Sequence, residues 1–175
     1  MHLRPLRSDD RPFLLEILET TSEFAPAEVA CAMELIDLAI THPERDEYRC
    51  LIASDERDRP LGYCCYGPTP MTEQTWDLYW IATKSGVRGM GVGRALMGRL
   101  EADVLDHGGR NVRIETSAKD AYGATRVFYE KNAYRPAGQI ANFYKPGDDL
   151  VILAKDLTTA TATATVARRA PAGAN

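Results

Sequence analysis

The residues best suited to chemistry lie between Arg88 and Arg94, in the run Arg-Gly-Met-Gly-Val-Gly-Arg. Glycines at alternate positions let a backbone turn tightly and approach a ligand closely, because no Cβ obstructs either. A helical pattern opens directly afterwards. Its unpaired first-turn N–H groups and the positive end of its dipole complete a pocket for phosphate, and Arg88 and Arg94 add charge on either side. Spacing excludes two common phosphate loops. Gly86 and Gly91 match the first interval of a Walker loop, but Val92 and Gly93 stand where lysine and a hydroxyl residue are required. A dinucleotide fingerprint begun at Gly89 and Gly91 needs glycine or alanine at position 94, which is Arg94.

The pattern that fits is Arg-x-x-Gly-x-Gly, carried by Arg88, Gly91 and Gly93, with Gly89, Met90 and Val92 between them and Arg94 following. It resembles the pyrophosphate-binding signature of the GNAT family of acetyl-CoA-dependent N-acetyltransferases.

Positioning such a loop requires a strand before it and a helix after it. Thr75 to Thr83 is rich in aromatic and β-branched residues and predicts the strand. From Gly91 to His107, Val92, Ala95, Leu96, Leu100 and Val104 recur at helical spacing until Gly108-Gly109 stops the run. Upstream, His2 to Arg7 alternates as a strand. Ser8 is a candidate cap for a helix carrying Phe13, Leu14, Ile17 and Leu18 inward, and a second helix runs from Pro26 to about His42. Tyr48–Ala53 and Leu61–Tyr66 form a hairpin-like pair. Downstream come a short strand at Asn111–Thr116, with Arg113 and Glu115 sharing one face, and a helix at Tyr122–Asn132 with Ala124, Val127 and Phe128 inward. Two strands follow, Tyr134–Phe143 and Leu150–Lys155. This order resembles the GNAT fold up to Leu157. The resemblance implies an α/β (α+β) domain over residues 1–157: a mixed, mostly antiparallel sheet of about seven strands with a central, splayed parallel pair, flanked by four helices. The Thr/Ala-rich segment 158–175 has too little apolar surface to offset chain entropy and reads as a disordered tail.

A chain of 175 residues with 45% apolar and 26% charged residues suits one globular domain. The net charge of −4 provides no basic face for nucleic acid, although it would attract a cationic amine. Neither a signal-like core nor a spanning apolar run is present, so cytoplasmic residence without membrane attachment is expected. Cys31, Cys50, Cys64 and Cys65 lack metal-ligand spacing and read as small buried residues, the last two on opposite faces of a strand. No metal is expected.

The resemblance also implies a chemistry. Ile81, Ala82 and Thr83 match the positions whose free backbone groups pair with the pantetheine arm of acetyl-CoA. Tyr129, in Phe128-Tyr129-Glu130-Lys131, matches the tyrosine that returns a proton to the departing thiolate. Glu115 matches the glutamate that activates the amine in acetyltransferases of ribosomal-protein N-termini, and Asp77 is the second candidate base. Three positions depart from the pattern: Tyr122 replaces a cofactor-contacting asparagine, Thr125 an alanine, and Ala133 a glycine. Asn142-Phe143-Tyr144 resembles a stretch that shapes the acceptor slot. The implied activity is direct acetyl transfer to a primary amine in a ternary complex, by a monomer or homodimer. A binding module that senses CoA or acyl-CoA without turnover is the alternative.

Overall fold

The computed structural model describes residues 1–158, so the proposed tail falls almost entirely outside them. The elements are β1 (His2–Pro5), α1 (Arg11–Glu19), α2 (Pro26–Thr41), β2 (Arg49–Ser54), β3 (Pro60–Pro68), β4 (Thr75–Thr83), α3 (Val92–Asp106), β5 (Asn111–Ser117), α4 (Gly123–Lys131), β6 (Arg135–Lys145) and β7 (Asp148–Asp156). They form one seven-stranded sheet in the order β1-β2-β3-β4-β5-β7-β6. Among the described residues only β4 and β5 run parallel, as a strand–helix–strand crossover through α3 requires.

Each face of the sheet has its own core. On one face, Leu14, Ile17 and Leu18 of α1 and Ala32, Met33 and Ile36 of α2 bury against Ile52, Tyr63 and Cys65. On the other, Leu96, Met97, Leu100 and Val104 of α3 and Tyr129 of α4 bury against Leu78, Val112 and Ile114. The strands alternate between the two cores, so Cys64 and Cys65 do face opposite ways.

Several local expectations are corrected. Phe13 is 41% exposed, because the inward stripe of α1 is centred on Leu14, Ile17 and Leu18. Ser8 lies in a short 3-10 turn. The residue that reaches back there is Asp10, whose carboxylate accepts the Arg7 N–H at 2.9 Å and a two-pronged pair of bonds from Arg4 at 2.7 and 2.8 Å. In α4 the buried stripe is displaced by one residue: Ala124 and Val127 are exposed and Tyr129 is buried. Cys31 is exposed, since it precedes the inward Ala32 of α2 and points away from the sheet.

Outermost strand β6 is exposed over all eleven residues. Its pairing with β7 skips Ala137, between Pro136 opposite Leu153 and Gly138 opposite Ile152, and then runs in register to Ile140, opposite Leu150. Thereafter Ala141–Tyr144 stand against Asp149 alone before Lys145 meets Asp148. Asn142 takes a positive φ of 54° inside this wide bulge, and its side-chain oxygen accepts the Gly147 N–H at 2.7 Å.

Candidate active site

The site begins with one extra residue. Between Cys65 and Tyr66 the β3–β4 register skips Tyr79, so β4 carries a bulge there. A bulge bends its strand and increases the twist. The pairing of β4 with β5 ends at the same place: Thr75–Leu78 lie opposite Asn111–Ile114, and nothing beyond Leu78 pairs with β5. β5 continues alone along β7 to Ser117, while β4 continues alone along β3 to Thr83. A wedge therefore opens in the middle of the sheet. Among the described residues the β5-side backbone groups of Tyr79–Thr83 have no strand partner, and this half contains all three predicted pantetheine positions, Ile81, Ala82 and Thr83.

The wedge leads to the glycine loop. Gly86, Gly89 and Gly91 have φ of 86°, 82° and 81°, and among the described residues no atom beyond the adjoining residues lies within 4 Å of the Cβ that each lacks. Their glycines are thus required by left-handed backbone, not by crowding. Gly93 is different: a Cβ there would come within 3.2 Å of the Phe128 ring, so this glycine lets α3 approach α4. Gly91 starts α3 with no side-chain cap, and among the described residues no carbonyl accepts from the N–H groups of Val92, Gly93 or Arg94. These donors, at the positive end of the helix, suit an anion. The Met90 N–H is occupied by the Val87 carbonyl at 3.2 Å, and the Val92 side chain is buried in the core. Arg94 is exposed. Arg88 turns instead toward the α1–α2 connection, where its Nη2 lies 2.7 Å from Glu23 Oε1.

Tyr129 and the two carboxylate candidates belong to opposite faces of the sheet. Tyr129 packs in the α3–α4 core beside Phe128 and Tyr134, at ring-centroid distances of 5.4 and 6.2 Å. No hydrogen-bond partner meets its hydroxyl among the described residues. Burial, and secondarily Cys64, pushes its pKa well above the ordinary phenol value, so it keeps its proton at neutral pH. Cys64 pairs across the strands with Ile81, which puts the tyrosine beside the splayed half of β4.

Asp77 and Arg113 are opposite each other in the paired half of β4 and β5. Asp77 is 6% exposed, and its Oδ1 accepts from Arg113 Nε at 2.6 Å. Glu115 lies two residues further along the same face, past the last paired residues. Its side chain is 41% exposed, with Oε1 3.3 Å from Arg113 Nη1. One arginine therefore holds both carboxylates, Asp77 below the wedge and Glu115 at its rim. Arg113 was not a predicted site residue, although the alternation that placed it on the Glu115 face was a usable signal.

Beyond Glu115, Ser117 donates to buried Asp148 at 2.5 Å and Lys119 pairs with it at 2.9 Å, fastening the β6–β7 hairpin to the end of β5. These two partners, Ser117 first, hold Asp148 below the usual carboxylate range. Tyr144, on the β6 bulge, is half-exposed, and its pKa is raised by burial and then by Glu115. The Tyr122 hydroxyl lies 2.8 Å from Glu28 Oε1 and 3.0 Å from the Glu23 carbonyl. Among the described residues no group of histidine, cysteine, aspartate or glutamate side chains could hold a metal ion, and no helix is long and apolar enough to cross a membrane.

A sheet split at its one parallel pair, with an uncapped helix after a glycine loop at the split, defines an acyltransferase-type fold. Residues 13–134 match the acetyltransferase (GNAT) family, and the chain belongs to that family. A protein from Desulfovibrio desulfuricans assigned to the GNAT acetyltransferases is similar at 36% identity and a TM-score of 0.85, covering 89% of this chain and 98% of that one. The fold is shared with an aminoglycoside 6′-N-acetyltransferase complexed with coenzyme A (20% identity, TM-score 0.72, 90% and 97% covered). It is shared too with a ribosomal-protein-alanine N-acetyltransferase from Brucella melitensis (20% identity, TM-score 0.70, 89% and 99% covered). Comparison with curated proteins found no match.

Proposed function

We propose that the protein transfers an acetyl group from acetyl-CoA to a primary amine by direct attack in a ternary complex. The observation that carries this reading is the pair of sites where, among the described residues, backbone groups lack partners: the β5-facing edge of the splayed half of β4, and the bare N-terminus of α3 at the end of the loop that follows it. The donor fits both: an extended amide-bearing arm pairs with a strand edge as another strand would, and a pyrophosphate suits the α3 N–H groups with Arg94 and Arg88 beside them. Acetyl-CoA, when bound, supplies the activated thioester carbonyl. The chain's own residues then have separable tasks.

Unpaired N–H groups of Tyr79–Thr83 orient and polarise the carbonyl. Tyr129 holds a proton at Oη for the leaving sulfur, and the burial that raises its pKa keeps that proton in place until it is needed. Glu115, at the rim and open to solvent, accepts the proton of the attacking amine directly or through water. Asp77, enclosed and bound to Arg113, orients the arginine that positions Glu115. Donor and acceptor thus arrive from opposite faces of the sheet and meet in the wedge. Glu115, Tyr144 and Tyr122 with Glu28 at the acceptor mouth favour a cationic amine.

Incubation with acetyl-CoA and a panel of polyamine-like antibiotics, lysine peptides and N-terminal peptides, read by mass spectrometry, tests the proposal. The expected result is a gain of one acetyl group on one acceptor class. Tight coenzyme A binding with no acceptor modified would make the protein a binding module.

A further inference from the structure

The α1–α2 connection crosses the wedge and is fastened on both sides of it. On the β4 side Phe24 stacks edge-on against Trp80, with ring centroids 5.4 Å apart, and Glu23 pairs with Arg88 of the glycine loop. On the β5 side, just before α4, Tyr122 reaches the Glu23 carbonyl and the Glu28 carboxylate. Glu28 in turn accepts the Ala25 N–H at 2.8 Å at the start of α2. Of these fastenings, only the Glu23–Arg88 pair uses a group assigned to the donor's pyrophosphate.

Arg88 has two candidate partners. Its side chain is 73% exposed, whereas that of Glu23 is 17% exposed and its pKa is held below the ordinary value, chiefly by Arg88. A pyrophosphate at the α3 N-terminus offers the same guanidinium more charge and more acceptor oxygens than one carboxylate. We infer that Glu23 is an internal competitor for Arg88: it holds the arginine in the free protein, yields it to the donor's pyrophosphate, and so couples donor binding to loosening of the α1–α2 connection on the β4 side of the wedge. This rests on the acetyl-CoA reading above. Glu23 is accordingly a positioning residue. It touches no reacting atom, and it makes the mobility of the α1–α2 connection respond to the donor.

The test is a double-mutant cycle on coenzyme A affinity by titration calorimetry, using the full chain. Glu23→Gln removes the competitor and is expected to tighten coenzyme A binding about threefold to fivefold, the size of a partly exposed ion pair. Arg88→Gln weakens binding, and adding Glu23→Gln to it has no further effect. Hydrogen exchange supplies an independent readout. The Thr21 and Phe24 amides, bonded to the Leu18 and Thr21 carbonyls, exchange faster when coenzyme A is added to wild type. In Glu23→Gln they exchange fast from the start. If the wild type does not bind coenzyme A, the acetyl-CoA reading and this inference fall together. If it binds while Glu23→Gln leaves affinity unchanged, acts equally without Arg88, or coenzyme A protects those amides, only the coupling role is overturned.

Discussion

The two halves of β4 differ in a single respect, and the difference makes the site. From Trp76 to Leu78 the strand is paired on both sides and buries Trp76 and Leu78 in the α3–α4 core. Beyond the Tyr79 bulge it is paired on one side only. A fully paired strand has no backbone group to give a ligand, and an unpaired one in the middle of a sheet has a row of them, held rigid by its other neighbour. Asp77 and Glu115 follow the same division. The carboxylate in the paired half is buried and tightly bridged to Arg113; the one past it is exposed and meets the same arginine at the longer distance of 3.3 Å.

The largest expected effect separates chemistry from binding within the open half. Tyr129→Phe should lower kcat by about 100-fold or more while coenzyme A affinity, by calorimetry, stays within about twofold. An unchanged kcat would remove the tyrosine from the acid role. Next in size is the contrast between the carboxylates. Arg113→Gln leaves buried Asp77 without its ionic partner and should destabilise the fold by about 2 kcal/mol in denaturant titration, less than for a fully enclosed pair because Arg113 is 39% exposed. Glu115→Gln should change stability by less than about 0.5 kcal/mol and lower turnover about tenfold. Equal stability losses at the two sites would erase the proposed division of labour.

A smaller effect tests the loop beyond the open half. Gly91→Ala forces a side chain into left-handed backbone and should destabilise by about 1 kcal/mol, with weaker coenzyme A binding. The smallest concerns pH. Arg88 lowers the folded-state pKa of Glu23 below its ordinary 4.5, so that pair's contribution is fully present above pH 4.5 and fades as pH falls through the lowered value. Arg88→Gln should flatten the corresponding slope in acid unfolding curves.

Element order was largely legible because periodicity is a local property: β4 spans the predicted residues, and α3 begins and ends within one residue of the expected bounds. The glycine loop was legible for the same reason, since left-handed positions impose themselves on residue type. What the sequence hid was pairing. Nothing in Thr75–Thr83 marks Tyr79 as the extra residue, because a bulge is a statement about two strands. The Asp77–Arg113 bridge depends on parallel register, and the Glu23–Arg88 pair joins residues far apart in the chain. The role of Gly93 was hidden similarly. Its glycine looked like part of the phosphate turn, whereas the neighbouring Phe128 ring also demands it.

The wide bulge of β6 has a consequence for the protein in a crowded solution. An outermost strand of eleven exposed residues, with Ile140, Phe143 and Tyr144 about half uncovered, is the kind of surface on which further chains add edge to edge. Pro136 removes one donor from that row, Arg135 and Lys145 put like charge at its two ends, and the left-handed Asn142 breaks its line. The irregularity leaves the open edge without a straight template for edge-to-edge addition.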